Sequence, residues 1–343
     1  MAAQSLAERL PKIHLHCHLE GAVRAETFVE LAERRGVPLR YRSADRADSQ
    51  DPYRFGDLQE FLYTFAAVSR SLAEPDDYGR VAREFVEDAL AQNVVYGELF
   101  VSPPVWTFFN AGLDVRAAME AIVSELRRAR PRASFVLLPD LTRNFGAERA
   151  LETARAVAGM TSLDIVGISL GGDEATYPAA LFADAFDYAR ACGLHRVAHA
   201  GEGAGAQSVR DAIELLGAER IGHGIRALDD LPTLELLASR RIALEVCPTS
   251  NERTGVATAE RPHPYVDLDR AGCVVTIDAD DPAIFQTSIE REYALVERVA
   301  GAPALERYVR NAIDASFAAA SEKAALQALV SAAVAEISTG SRK

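Results

Sequence analysis

Short apolar runs alternate with amphipathic helical stretches along most of this 343-residue chain, and that alternation constrains the fold more than any other feature. Strand-like runs are expected at residues 13–17, 94–101, 134–138, 165–169, 195–199, 220–223, 242–246 and 273–277. Helical patterns fill 78–92, 115–129, 147–158, 180–191, 208–216 and 230–239. Strand alternating with helix, with no all-β or all-α block, predicts a parallel sheet. Units of this kind over roughly 270 residues predict an α/β fold, a (β/α)8 TIM barrel. A doubly wound open sheet is the rival. However, Gly201-Glu202-Gly203-Ala204-Gly205 lacks the GxGxxG spacing of its phosphate loop.

Polar residues collect at the ends of these runs. His16 and His18 are two apart, so on a strand they project from one face at a spacing that suits one Zn²⁺. His199-Ala200-Gly201-Glu202, Ile221-Gly222-His223-Gly224 and Asp278-Ala279-Asp280-Asp281 close three further runs. In a barrel, the C-terminal edge of the strands is where catalytic groups gather. Only Lys12, Lys323 and Lys343 occur, none on a mid-barrel strand. A two-metal site bridged by a modified lysine is therefore not expected, and a single-metal site is. His14 shares the first strand and is expected to be structural. Cys17 should point to the core, and His195 and His263 carry no motif.

Residues 25–73 depart from the alternation. A helical stretch at 25–35, a polar link at 43–52 and an aromatic-rich stretch at 55–65 predict a helical lid inserted after the first strand. Phe61 and Phe65 are four apart and share a helix face. They are either core packing or an apolar wall for a flat ligand. The Ala-rich residues 304–343 are expected to form a C-terminal helical segment outside the barrel, the whole chain being a single domain.

Composition narrows the partners. A hydrophobic fraction of 49% with 25% charged residues describes a soluble globular protein. The net charge of -13 argues against binding nucleic acid, because there is no basic surface to displace counterions. Four scattered cysteines lack CxxC spacing, which excludes a zinc ribbon and gives no disulfide framework. Residues 1–9 have no basic-then-apolar leader pattern, and no apolar run approaches a membrane span. A cytoplasmic protein without membrane contact is expected; the oligomeric state is left open.

Six motifs in order, HxHLEG at 16–21, SLGGDE at 169–174, HAGE at 199–202, IGHG at 221–224, EVCPTSN at 245–251 and DDP at 280–282, resemble the adenosine deaminase family. That family belongs to the metal-dependent amidohydrolase barrels, and the resemblance covers about residues 11–293. His16, His18, His199 and Asp280 supply three nitrogens and an oxygen, leaving an open position as a catalytic Zn²⁺ requires. Zinc, one per chain, would generate hydroxide near neutral pH to displace a purine amino group. Glu202 is placed to protonate ring nitrogen N1 and assist the leaving ammonia. The resemblance implies that His223 orients the hydroxide, that the Gly172 N–H meets a ring nitrogen and that the Asp281 carboxyl meets N7. The cytosine-type zinc deaminases are excluded, since Cys247-Pro248 reverses their PCxxC order.

The substrate is less constrained. The motif HLEG places Glu20 where animal-type members have aspartate, and in the family this side chain reaches the sugar end of the ligand. HLEG also occurs in members that take free adenine, whereas IGHG resembles the nucleoside branch. EVCPTSN is shared with a branch that deaminates 6-aminodeoxyfutalosine. The expected substrate is a 6-aminopurine nucleoside of adenosine type, with 6-aminodeoxyfutalosine and adenine as alternatives. Two other classes fit less well: a catalytically silent purine-binding barrel, which predicts loss of a ligand or of the general acid where none is lost, and a single-zinc hydrolase of another amide or ester, against which the Gly172 and Asp281 matches to purine edges argue.

Overall fold

A computed structural model describes residues 5–39, 51–56 and 58–340. Eight parallel strands follow one another: β1 (Lys12–His18), β2 (Val94–Val101), β3 (Ser134–Pro139), β4 (Gly167–Ile168), β5 (His195–Ala200), β6 (Arg220–His223), β7 (Ala243–Val246) and β8 (Val274–Ile277). β1, β2 and β3 pair in that order, and so do β4 to β8. Single parallel bridges join the two sets. Cys17 pairs with Asp280 just beyond β8, and Leu137 and Asp140 pair with Ile165 and Ser169 on either side of β4. With helices between consecutive strands, this is the (β/α)8 order expected from the alternation. β4 is shorter than its apolar run. Its pairing with β3 is limited to the bridges at Ile165 and Ser169, the first of them closed by the Asp164 carbonyl, which accepts the Leu137 N–H at 3.0 Å.

The helices form for local reasons. The Asp114 side chain accepts the Ala117 N–H and caps Val115–Arg128, whose buried Ala118, Met119, Ile122, Val123 and Leu126 make one apolar stripe. Asp230 caps Leu231–Arg240 in the same way. The stretch expected as one helix at 180–191 divides into a 3-10 turn, Ala179–Phe182, and a helix, Ala183–Ala191. Pro103–Phe109, Pro248–Arg253 and Tyr265–Arg270 are short helices beyond those expected.

Phe100, Leu138 and Val197 form a buried cluster on which Val166 and Phe317 pack. Three helices, Ile289–Ala300, Ala302–Ala315 and Ala320–Gly340, end the described chain. Between the last two the chain turns inward. Phe317 stacks on His195 at 3.9 Å, lies 3.8 Å from the Arg220 guanidinium, and donates its N–H to Glu98 at 2.6 Å. His195 and Arg220 open β5 and β6, so this contact closes the N-terminal end of those strands.

Helices Ala25–Arg35 and Leu58–Ser71 lie between β1 and β2. The polar link expected at 43–52 falls outside the described residues as far as residue 50. Phe61 stacks on Phe285 at 4.8 Å, and Phe65 stands 6.4 Å from the His18 ring. The insertion therefore reaches the C-terminal ends of the strands. Among the described residues, no helix is long and apolar enough to cross a membrane.

Candidate active site

The polar residues at the strand ends converge. His16 and His18 come from β1, His199 from β5, His223 from β6, and Asp280 follows β8. His16, His199, His223 and Asp280 each offer an atom within 4.8 Å of the others, and His18, Asp280 and Asp281 form a second such group. His18 Nε2 faces His199 Nε2 at 3.2 Å. Asp280 Oδ1 lies 3.3 Å from His16 Nε2 and 3.5 Å from His18 Nε2. His14 is buried apart from this group and accepts the Ala279 N–H. Cys17 is fully buried, as its opposite facing on the strand predicts.

The donor set fits a metal ion. His16 Nδ1 sits 2.9 Å from Glu245 Oε2, which orients the ring so that Nε2 faces Asp280 Oδ1. His16 Nε2 is buried and has no hydrogen-bond partner among the described residues. Burial opposes charge on His16, yet the Asp280 and Glu245 carboxylates raise its pKa to about 10. Positive charge is favoured at that point. Burial alone would raise Asp280, but His16, His223 and His18 hold it well below the usual carboxylate range. Three imidazole nitrogens and an anionic oxygen are a zinc-like set.

The strand ends are shaped for this approach. His223 and Asp280 adopt φ of +61° and +63°, a region non-glycine residues avoid at a cost of about 1–3 kcal/mol each. Gly222 admits the ring of His16: a Cβ there would lie 2.7 Å from His16 Cε1. Behind His16, Glu245 accepts from Arg220 Nε at 2.5 Å, and Arg220 reaches Glu98 at 2.5 Å, all three fully buried. Glu245 was visible only as part of a motif, and Arg220 and Glu98 carried no signal beyond being charges on apolar strands.

Glu202 follows β5 on a turn held by one carboxylate. Glu174 accepts the N–H groups of Gly201, Glu202, Gly203 and Ala204 at 2.5, 3.1, 2.8 and 3.0 Å. Glu202 Oε1 accepts from Asn251 Nδ2 at 2.9 Å, and Oε2 lies 3.4 Å from His223 Nε2. Burial, with the nearby Asp280 and Glu174 carboxylates, raises Glu202 to about 8. Burial, reinforced by His16 and His18 and opposed by Asp280, lowers His223 to about 4. One group thus carries a proton at neutral pH while the other is neutral. Sequence reasoning assigned neither Glu174 nor Asn251 a part.

Asp281 and Glu20 lie beside the cluster, and Gly172 follows Gly171, where a Cβ would lie 3.5 Å from His199 Cε1. Burial and the Asp280 charge push Asp281 well above the usual range, and its buried Oδ1 has no hydrogen-bond partner among the described residues. Glu20 is buried, its Oε1 accepting from Trp106 Nε1 at 2.6 Å and Ser102 N at 2.8 Å. Its buried Oε2 has no partner among the described residues, and burial lifts the carboxyl to about 7. Gly172 lies beyond β4 at φ +98°, where a Cβ would strike Asn144 Oδ1 at 2.4 Å. Of the aromatic pair, Phe65 borders His18, whereas Phe61 packs among Phe55 and Phe285.

The family profile for adenosine deaminase matches residues 11–333. The chain belongs to the adenosine deaminase family. It is 36% identical over 312 residues to an adenine deaminase of Rhizobium leguminosarum bv. trifolii, covering 90% of this chain and 95% of that one. An adenosine deaminase of Shewanella loihica is 34% identical over 328 residues, covering 93% and 98%. Among solved structures, an amidohydrolase from Burkholderia ambifaria with bound zinc superposes with a TM-score of 0.88 at 30% identity, covering 99% of this chain and 95% of that one. As a member of this family the chain is a hydrolase acting on C–N bonds, a deaminase of adenine or adenosine type, on the barrel its strand order shows.

Proposed function

We propose that this protein is a zinc-dependent adenine deaminase, converting free adenine and water to hypoxanthine and ammonia. The observation that carries the choice of base over nucleoside is Glu20. Its Oε1 is committed to Trp106 and Ser102, and its buried Oε2 awaits a donor. A free base offers an imidazole N–H, which a nucleoside has replaced with its sugar. The adenine deaminase of R. leguminosarum bv. trifolii at 36% identity supports the same choice. Adenosine is the second reading, favoured by the S. loihica relative at 34%. This takes the free-base alternative of the sequence analysis over its nucleoside reading.

In this proposal His16, His18, His199 and Asp280 hold one Zn²⁺ per chain. Bound there, the ion supplies the Lewis acidity that brings the pKa of a water near neutrality. Glu202, protonated at neutral pH, delivers its proton to N1 and later assists the departing ammonia as the C6–N bond breaks. Neutral His223 orients the attacking water through Nε2. The raised Asp281 carboxyl donates to N7, the Gly172 N–H meets a ring nitrogen, and Glu20 Oε2 accepts the base's N–H. Phe65, and behind it Phe61, supply the apolar wall from the insertion after β1.

The test is ammonia release from adenine, adenosine and 6-aminodeoxyfutalosine under equal conditions. Adenine should give the highest kcat/KM, and Glu20→Ala should lower it about ten- to a hundredfold, the scale of one charge-assisted hydrogen bond. Faster turnover of either nucleoside would overturn the choice of substrate while leaving the deaminase chemistry intact.

A further inference from the structure

His195 and His263 belong to no motif in the sequence. His195 pairs with Glu219 at the N-terminal end of β5, away from the cluster. His263 is different. It lies between helices Pro248–Arg253 and Tyr265–Arg270, with Nε2 3.1 Å from Asn251 Oδ1. Asn251 is fully buried, and its Nδ2 is 2.9 Å from Glu202 Oε1 and 3.3 Å from His223 Nδ1.

An amide donates at one end and accepts at the other. Glu202 Oε1 accepts from one end of Asn251, so that end is the NH2. His223 Nδ1 faces the same NH2, which can only donate, so Nδ1 is held as an acceptor. Oδ1 is then committed to His263, which must supply an Nε2–H. Burial, with the neighbouring His223, lowers His263 to about 3, so its ring is neutral and has a single proton. With that proton on Nε2, Nδ1 is a buried acceptor, and it has no partner among the described residues. Such a group is costly, and a residue kept only to fill space would not need it. Turned over, the amide would set Oδ1 against Glu202 and drive the His223 proton onto Nδ1, leaving a bare Nε2.

We infer that His263 is a positioning residue: it holds the Asn251 amide in one orientation and so fixes His223 as the Nε2–H tautomer facing Glu202. The inference rests on the roles proposed above for Glu202 and His223, and not on which 6-aminopurine is the substrate.

The experiment compares zinc-loaded wild type with His263→Ala, His263→Phe, His263→Gln, Asn251→Ala and the His263→Ala/Asn251→Ala double variant. The substrate is whichever purine wild type turns over fastest, so a failed substrate reading is exposed before any variant is compared. His263→Ala should lower kcat about ten- to a hundredfold, the scale of a misoriented catalytic group, with KM within about twofold. His263→Phe fills the space without an N–H and should match it. His263→Gln can donate to Oδ1 and should recover kcat to within about threefold of wild type. Because His263 acts through Asn251, the double variant should be no slower than Asn251→Ala. Apart from activity, imidazole ¹⁵N shifts should show His223 as a single Nε2–H tautomer in wild type and as a mixture in His263→Phe. Unchanged kcat in His263→Phe, additive losses in the double variant, failure of His263→Gln to recover, or an unaltered His223 tautomer would each overturn the inference.

Discussion

Glu202 shows how one side chain acquires a task from its surroundings. An ordinary glutamate titrates near 4.5, and burial beside Asp280 and Glu174 raises this one to about 8. The protonated form is present below that value and is lost as pH rises through it. If Glu202 is the proton donor, kcat should fall on the alkaline side of about pH 8, read from a pH–rate profile. A rate that climbs through that range would contradict the assignment. Glu202→Gln should lower kcat at least ~10²-fold, the usual scale for a general acid, while zinc content and product affinity are retained. Near-normal turnover with zinc bound would move the proton source elsewhere. The spacing from His199 drew attention to Glu202. Its donor partner Asn251 and the Glu174 carboxylate behind its turn lie 49 and 28 residues away, and only folding brings them there.

At the scale of the elements, the strand ends carry strain and buried charge. Gly222 in β6 lets the His16 ring approach. Gly222→Ala should therefore weaken metal binding about ten- to a hundredfold, as disturbed ligand orientation does, measured by competition with a chelating dye. Unchanged affinity would mean that the strand yields. Arg220 joins Glu98 on β2 to Glu245 on β7 across the interior. Arg220→Met leaves two carboxylates buried without their cation and should cost about 3–5 kcal/mol in urea denaturation. A loss under 1 kcal/mol would show that water or rearrangement takes over the arginine's place. The alternation of the sequence made the strands legible. It said nothing of this network, because a charged residue on an apolar run looks the same whether its partner is solvent or another strand.

For the whole molecule, the proposed ligands run from His16 on the first strand to Asp280 beyond the last, so an ion bound there would tie the two ends of the barrel together. Elemental analysis should find one zinc per chain; two metals, both needed for turnover, would sink the single-ion site. Removing the ion with a chelator should lower Tm, since an ion bound only by the folded state adds about 2.7 kcal/mol at a hundredfold excess over its Kd. An unshifted Tm would mean that the site forms without contributing to the barrel's stability.

The sequence by itself determined the barrel order and the residues that meet at its C-terminal edge. Strand periodicity and the chemistry of imidazole and carboxylate are local properties, readable within a few residues. It also carried the family resemblance, because six ordered motifs survive as text. What only the tertiary structure decided are relations between distant segments: Glu245 behind His16, Asn251 between Glu202 and His223, His263 behind Asn251, and Phe317 against Arg220. Glu20 shows the divide most plainly. Its position two residues past His18 leads to the expectation that it faces the substrate, but which of its oxygens is free depends on Trp106 and Ser102, more than 80 residues away. Hydrogen-bond satisfaction is set by which groups end up within about 3 Å of each other, a property of packing that no local pattern encodes.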